Sequence, residues 1–221
     1  DVYKRQGVAN IAIGCGTLSR NCGGSCNIAI GFQTLAFNDT GSHNLAFGAC
    51  ALYCGTSARW NIVMGCQAMF YGTTASCNIA IGHGTLYNTT TGTDNIAIGV
   101  DSQLSASGSC NISLGYNALY AVSGSYNIAM GPYAQYSGNS TNNNISLGGG
   151  TLFYNRTGCN NIAIGSCALF GGCYAAGYSL GSCNIGIGTN AGCCITSGAN
   201  NTIIGNYSGT PGMVCTLWLG A

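Results

Sequence analysis

This sequence has almost no charge. Only 4% of its 221 residues are Asp, Glu, Lys or Arg, against roughly 25% in an ordinary soluble domain, and glutamate is missing altogether. A formal charge of +1 leaves no cluster of Lys and Arg for nucleic acid or an anionic membrane to meet, so neither nucleic-acid binding nor membrane insertion is expected. Two prolines are too few for collagen or a proline-rich linker. The balance of low hydrophobicity and high charge that marks disorder is lacking too, since mean hydropathy is +0.27. Glycine, in contrast, is plentiful: its 37 residues are far above the usual ~7%.

The first six residues, Asp1 to Gln6, match one back-translation of a transposon end used in sequencing libraries. They are read as a non-native scar and set aside, with the native chain expected to begin upstream. Beyond them the ionisable pairs reduce to Arg20, Arg59 and Arg156 against Asp39, Asp94 and Asp101.

The main signal is a repeat. Asn-Ile-Ala-Ile-Gly, or a close variant, starts at Asn10, Asn27, Asn44, Asn61, Asn78, Asn95, Asn111, Asn127, Asn144, Asn161, Asn184 and Asn201. The step is 17 residues in most cases, 16 twice and 23 once. Apolar residues alternate with period two and Gly closes each short run, a strand pattern and not a helical one. One unit alone cannot stand. Its few large apolar side chains contribute about 1.5–3 kcal/mol each when buried, while ordering its backbone costs about 1–2 kcal/mol per residue. Stacking resolves the deficit, so the repeat predicts an all-β parallel solenoid of about twelve coils over residues 7–209, followed by an irregular or truncated end over 210–221.

With Asn at position 0, each column has a task. The Asn residues, among them Asn27, Asn44, Asn61, Asn78, Asn95, Asn111, Asn127, Asn144 and Asn161, predict an amide ladder between coils. Alternation puts the Ile-rich +1 and +3 columns on one face, which is expected to point into the coil. The +2 column (Ala12, Ala29, Ala46, Ala80, Ala97, Ala129 and Ala163 among others) would then point outward. Its lack of bulk and charge predicts close packing against another surface, an oligomer interface. Gly at +4 is expected to supply a turn with positive φ.

Catalytic material is scarce, and no enzymatic activity is expected. His43 and His83 are the only histidines, and Asp94 and Asp101 fall in different columns, unsuited to paired acid–base work. Fifteen cysteines are an odd, unpatterned set, read as packed or free thiols. The best metal-like group, Cys50, Cys66 and His83 on successive coils, fits no known finger spacing, so no metal or other cofactor is expected. Aromatics recur at +9, namely Tyr53, Phe70, Tyr87, Tyr120, Tyr136, Phe153 and Phe170. They form a row that could meet sugar faces or a protein partner. The 23-residue step places an insertion within residues 171–182, whose Tyr174 and Tyr178 are further candidates for a binding loop.

Asn-Ile-Ala-Ile-Gly-x-x-(Ala/Thr)-Leu with its Gly-Ser lead-in resembles the head repeats of trimeric autotransporter adhesins. It is closer still to the NTAIG-type repeats of tail-fibre-like proteins of phages and giant viruses. The resemblance covers about Val8 to Gly209. It implies a left-handed β-roll, trimeric assembly and an extracellular or virion-surface location. The function it implies is display or attachment, with a host-surface glycan or protein as partner. The 17-residue period and the cysteine count depart from the adhesin pattern. An ice-binding solenoid is the alternative, weakened because the +7 column mixes Thr17, Thr34, Thr85 and Thr151 with Ala and Ser.

Overall fold

The computed structural model describes residues 7–105, 107–171 and 180–220. It divides into two compact units, Asp1–Cys110 and Asn111–Ala221, and among the described residues there is no helix. The first unit holds β1 (Ile11–Ile13), β2 (Ile28–Ile30), β3 (Leu45–Phe47), β4 (Ile62–Met64), β5 (Ile79–Ile81) and β6 (Ile96–Ile98). These stack in chain order, each parallel to the next and paired at equivalent positions, as in Ile62↔Ile79 and Val63↔Ala80.

In the second unit lie β7 (Ile112–Leu114), β8 (Ala121–Val122), β9 (Ile128–Met130), β10 (Ser137–Gly138), β11 (Ile145–Leu147), β12 (Ile162–Ile164), β13 (Ile185–Ile187), β14 (Thr202–Ile204) and β15 (Leu217–Leu219). Strands β7, β9, β11, β12, β13, β14 and β15 likewise stack in parallel with equivalent positions paired, and β8 pairs with β10 in a small second sheet. The fold is the expected parallel β-solenoid, one coil per repeat. The segment 210–221, expected to be irregular, contributes one more strand.

Which face points inward is the reverse of the expectation. The +1 and +3 residues do share a face, but it is the outer one. Ala29, Ala46, Ala80, Ala97, Ala129 and Ala163 are fully buried and cannot form an oligomer interface. Ala12, in the first coil, is exposed together with the rest of its strand. The cause is the width of the coil. Leu at +8 is wholly buried in Leu35, Leu52, Leu86, Leu119, Leu152 and Leu169, and it fills the interior opposite the strand. At Gly186, a +2 position, an added Cβ would sit only 2.8 Å from Leu169 Cγ and 2.9 Å from the Ala191 carbonyl oxygen. A methyl group is the most the column can usually hold, so the small residues mark the inside and the Ile residues the outside.

Two devices close each coil. The Asn column forms buried amide rungs within each unit, interrupted at Asn161, whose backbone N–H donates to Asn144 Oδ1 (2.9 Å) while its Nδ2 has no partner among the described residues. Asn78 donates its Nδ2 to Asn61 Oδ1 (3.1 Å) and to the Gly92 carbonyl of its own coil (2.9 Å). Its own Oδ1 accepts from the backbone N–H and Nδ2 of Asn95 (2.9 and 3.1 Å). Equivalent rungs join Asn27 to Asn44 and Asn44 to Asn61, and in the second unit Asn111 to Asn127, Asn127 to Asn144 and Asn184 to Asn201. The second device is left-handed backbone. Gly at +4 has positive φ (140° at Gly65), and an added Cβ at Gly48 would meet the next coil's carbonyl oxygen at 2.6 Å. Non-glycine residues do the same at −1, +6 and +8, as in Trp60 (54°), Gln67 (57°) and Leu86 (54°). Such torsions are uncommon for L-residues and costly for bulky ones. They persist here because the amides they orient bond to neighbouring coils, Gln67 N–H to the Ala49 carbonyl and Leu86 N–H to the Ser102 carbonyl.

Candidate functional site

With Ala inside, each unit presents the outer face of its strands at the surface. Its centre is the +1 and +3 columns, apolar throughout except for Thr202. Ile62 and Met64 remain 39% and 41% exposed and Ile98 39%. The flanking −1 and +5 columns widen the face with Phe32, Trp60 and Val100 in the first unit and Tyr116 and Tyr126 in the second, all exposed. Among these four columns in the described residues, Asp94 is the only carboxylate, and no Lys or Arg occurs. The flanks turn more polar in the second unit, where Asn143, Asn160 and Asn200 occupy −1 and Ser166, Thr189 and Asn206 occupy +5. Parallel strands normally bury both faces, whereas here the outer face stays partly in water.

The opposite edge of the first unit is polar. Hydroxyls at +12 and +13 bond along the stack, Thr40 to Ser57 Oγ (3.3 Å) and Thr56 and Thr73 to the Thr73 and Thr90 carbonyls (3.1 Å each). The +7 threonines, considered for ice contact, face inward instead. Thr34 and Thr85 are buried and donate to the Gly48 and Gly99 carbonyls (2.6 and 2.7 Å).

The +9 aromatics form stacks. In the first unit Tyr53, Phe70 and Tyr87 lie face to face, with centroids 4.8 and 5.2 Å apart and planes within 17°. In the second, Tyr120, Tyr136, Phe153 and Phe170 do the same at 5.0, 4.9 and 5.2 Å. Each face meets the next ring, so inside the stacks only edges and phenol hydroxyls are presented. Tyr71 and Tyr154, at +10, pack edge-on across these stacks. The repeat makes the stacking legible, because one residue per coil at a fixed column repeats at the inter-strand spacing of ~4.8 Å. Burial raises the phenol pKa of Tyr87, with Tyr71 beside it adding to the shift. Tyr174 and Tyr178 lie outside the described residues.

The thiols are not organised as a site. Cys15, Cys22, Cys26, Cys66, Cys77, Cys183 and Cys215 are exposed and free. Burial, then the neighbouring Cys66, raises the Cys50 thiol, and burial raises Cys54. Among the described residues no group of three His, Cys, Asp or Glu is placed to hold a metal ion; His83 instead lies 3.7 Å from Asp101. A surface cavity of about 290 Å³ is lined by Arg20, Cys22, Phe37, Asp39 and Thr56, and the Arg20 guanidinium lies 4.5 Å over the Phe37 ring. No helix among the described residues is long and apolar enough to cross a membrane.

No family model matches this chain, and no curated protein or solved structure is significantly similar to it.

Proposed function

We propose that the chain is a non-enzymatic segment of an attachment or display fibre, assembled as a homotrimer and exposed at a virion or cell surface. The observation that carries the reading is the outer sheet face, apolar along successive coils and nearly free of charge. Three copies turning that face inward would bury it and leave the hydroxyl-lined edge in water. The resemblance of the repeat to adhesin heads and viral fibre repeats points the same way. Attachment to a host glycan or protein would then fall to outward features, chiefly the edges of Tyr53, Phe70 and Tyr87 and of Tyr120, Tyr136, Phe153 and Phe170.

Sedimentation of the purified chain across a concentration series tests assembly. Trimers are expected, and Ile62→Lys, Ile79→Lys and Ile96→Lys together should yield folded monomers, because unpaired charge is costly to desolvate at a tight contact. A native chain that stays monomeric at tens of micromolar would overturn the trimer. Attachment is tested on a panel of immobilised glycans and cells. Absence of binding by an intact trimer to the whole panel would leave structural display alone.

A further inference from the structure

Charge is so scarce in this chain that its placement carries information. Beyond residue 6 there are only six Arg and Asp side chains. Two of opposite sign, Arg20 and Asp39, line the same surface cavity of about 290 Å³. The cavity spans the first three coils on the hydroxyl-lined edge of the first unit, with Cys22, Phe37 and Thr56 completing its lining. Asp39 departs from its column, because the next three coils place Thr at +12, namely Thr56, Thr73 and Thr90.

The two charges do not neutralise each other. Among the described residues the one ion pair joins His83 to Asp101. Arg20 is held instead by its backbone N–H on the Ala36 carbonyl (3.0 Å) and by its guanidinium 4.5 Å over the Phe37 ring. Tyr53 fixes that ring in turn, meeting it edge-on with centroids 4.8 Å apart. The backbone of Asp39 is tied on both sides. Its carbonyl accepts from the N–H groups of Cys22, Gly23 and Gly24 (3.1, 2.7 and 3.2 Å), and its own N–H donates to the Thr56 carbonyl (2.9 Å). Arg20 and Asp39 both remain exposed, so anchored backbone and aromatic packing position two charged heads that are left for a ligand.

On the reading that the chain attaches to host glycans, we propose that this cavity binds an acidic sugar, a pyranose carrying a carboxylate. The sugar carboxylate takes a charge-assisted, bidentate pair of hydrogen bonds from the Arg20 guanidinium. Ring hydroxyls donate to the Asp39 carboxylate, and the C–H groups of the ring pack against Phe37. Arg20 and Asp39 lie too far apart to pair, and a pyranose ring likewise holds its carboxylate apart from its hydroxyls. The volume suits one sugar ring, since it lies at the foot of the ~300–1,000 Å³ range of small-ligand sites. Asp39 would repel a bare phosphate or sulfate, and a neutral sugar would leave Arg20 unmatched.

Cys22 supplies the readout, because its free, exposed thiol lines the cavity. Alkylation of Cys22 in the full chain is followed by mass spectrometry, with glutathione in the same solution as the control thiol. N-Acetylneuraminic acid or glucuronic acid at tens of millimolar should slow Cys22 severalfold and leave glutathione unaffected, and the acid that protects more identifies the sugar. Glucose and L-alanine should not protect. Arg20→Met keeps an apolar chain over Phe37 and should raise the dissociation constant of the protecting acid about tenfold or more. Arg20→Lys, which keeps the charge without the fork, should fall between. Both variants should unfold at the native midpoint, as expected for an exposed side chain. Absence of protection by both acids overturns the proposal, as does equal protection by glucose or L-alanine, or protection undiminished in Arg20→Met. If the chain still attaches to cells while no acid protects Cys22, the cavity is overturned and the attachment reading stands. Protection of Cys22 without attachment to any glycan or cell supports the site and overturns that reading.

Discussion

Adding bulk to neighbouring residues of one strand separates the two possible orientations of the sheet. Ala97→Leu and Ile98→Phe each add three carbon atoms. Ala97 is fully buried, whereas Ile98 keeps 39% of its surface in water. At the equivalent +2 position of Gly186 even a Cβ would lie 2.8 Å from the Leu169 side chain, and the bulkiest side chain buried at +2 where the preceding coil carries Leu at +8 is Val63, so a leucine overfills the interior. Overpacking of this kind costs about 1–3 kcal/mol, and a chain of this size loses roughly 2–4 °C per kcal/mol. A fall of about 2–12 °C is therefore expected for Ala97→Leu. Ile98→Phe adds its ring on the outside, in the column where Phe47 already stands, and should stay within about 0.5 kcal/mol of the native chain. Thermal and urea unfolding followed by circular dichroism, repeated at several chain concentrations to separate out assembly, measures both. A fall for Ile98→Phe as large as that for Ala97→Leu would refute the assignment of inside and outside.

Asn78→Ala removes four ladder contacts and leaves the Asn95 N–H and the Gly92 carbonyl buried without their partners. At about 1–3 kcal/mol per orphaned group, a loss of about 2–6 kcal/mol is expected in urea unfolding. Phe70→Leu should weaken the first aromatic stack by about 0.5–1.5 kcal/mol beyond its lost area and diminish the near-ultraviolet dichroism of its tyrosines. Stability should fall on the alkaline side: Tyr87 has a folded pKa above the ordinary 10.0 and Cys50 and Cys54 above 9.0, so the folded chain holds protons that the unfolded chain has released. Unfolding midpoints that stay level as pH rises through and beyond these values would contradict that sign. Cys22, exposed in the +12 column away from the sheet face, should react with a thiol reagent under native conditions well before Cys54, whose thiolate is disfavoured by burial.

The repeat, the strands, the amide ladder and the glycine turns were all legible in the sequence, because each follows from spacing and residue type. Orientation was not. Alternation places Ile79 and Ile81 on one face and Ala80 on the other, yet it is symmetrical as to which face is enclosed. The deciding information lay outside the strand, in the Leu column at +8, whose bulk already fills a narrow coil. The left-handed torsions at Trp60, Cys77 and Leu86 were hidden for a different reason: these residue types do not favour positive φ, and the stacked hydrogen bonds alone hold them there. The aromatic column was readable as a row, but the mutual covering of its ring faces depends on side-chain angles that spacing does not determine.

The chain has two tryptophans, and the fold gives one to each unit. Trp60 stands in the −1 column against His43, with centroids 5.8 Å apart, and Trp218 lies on Tyr207 at 4.4 Å. Intrinsic fluorescence is therefore a mixture of two local signals. Replacing Trp218 with Phe leaves an emission that reports on the first unit alone, and replacing Trp60 with Phe leaves a reporter for the last strand. The order in which the two units lose structure can thus be followed optically, without an attached dye.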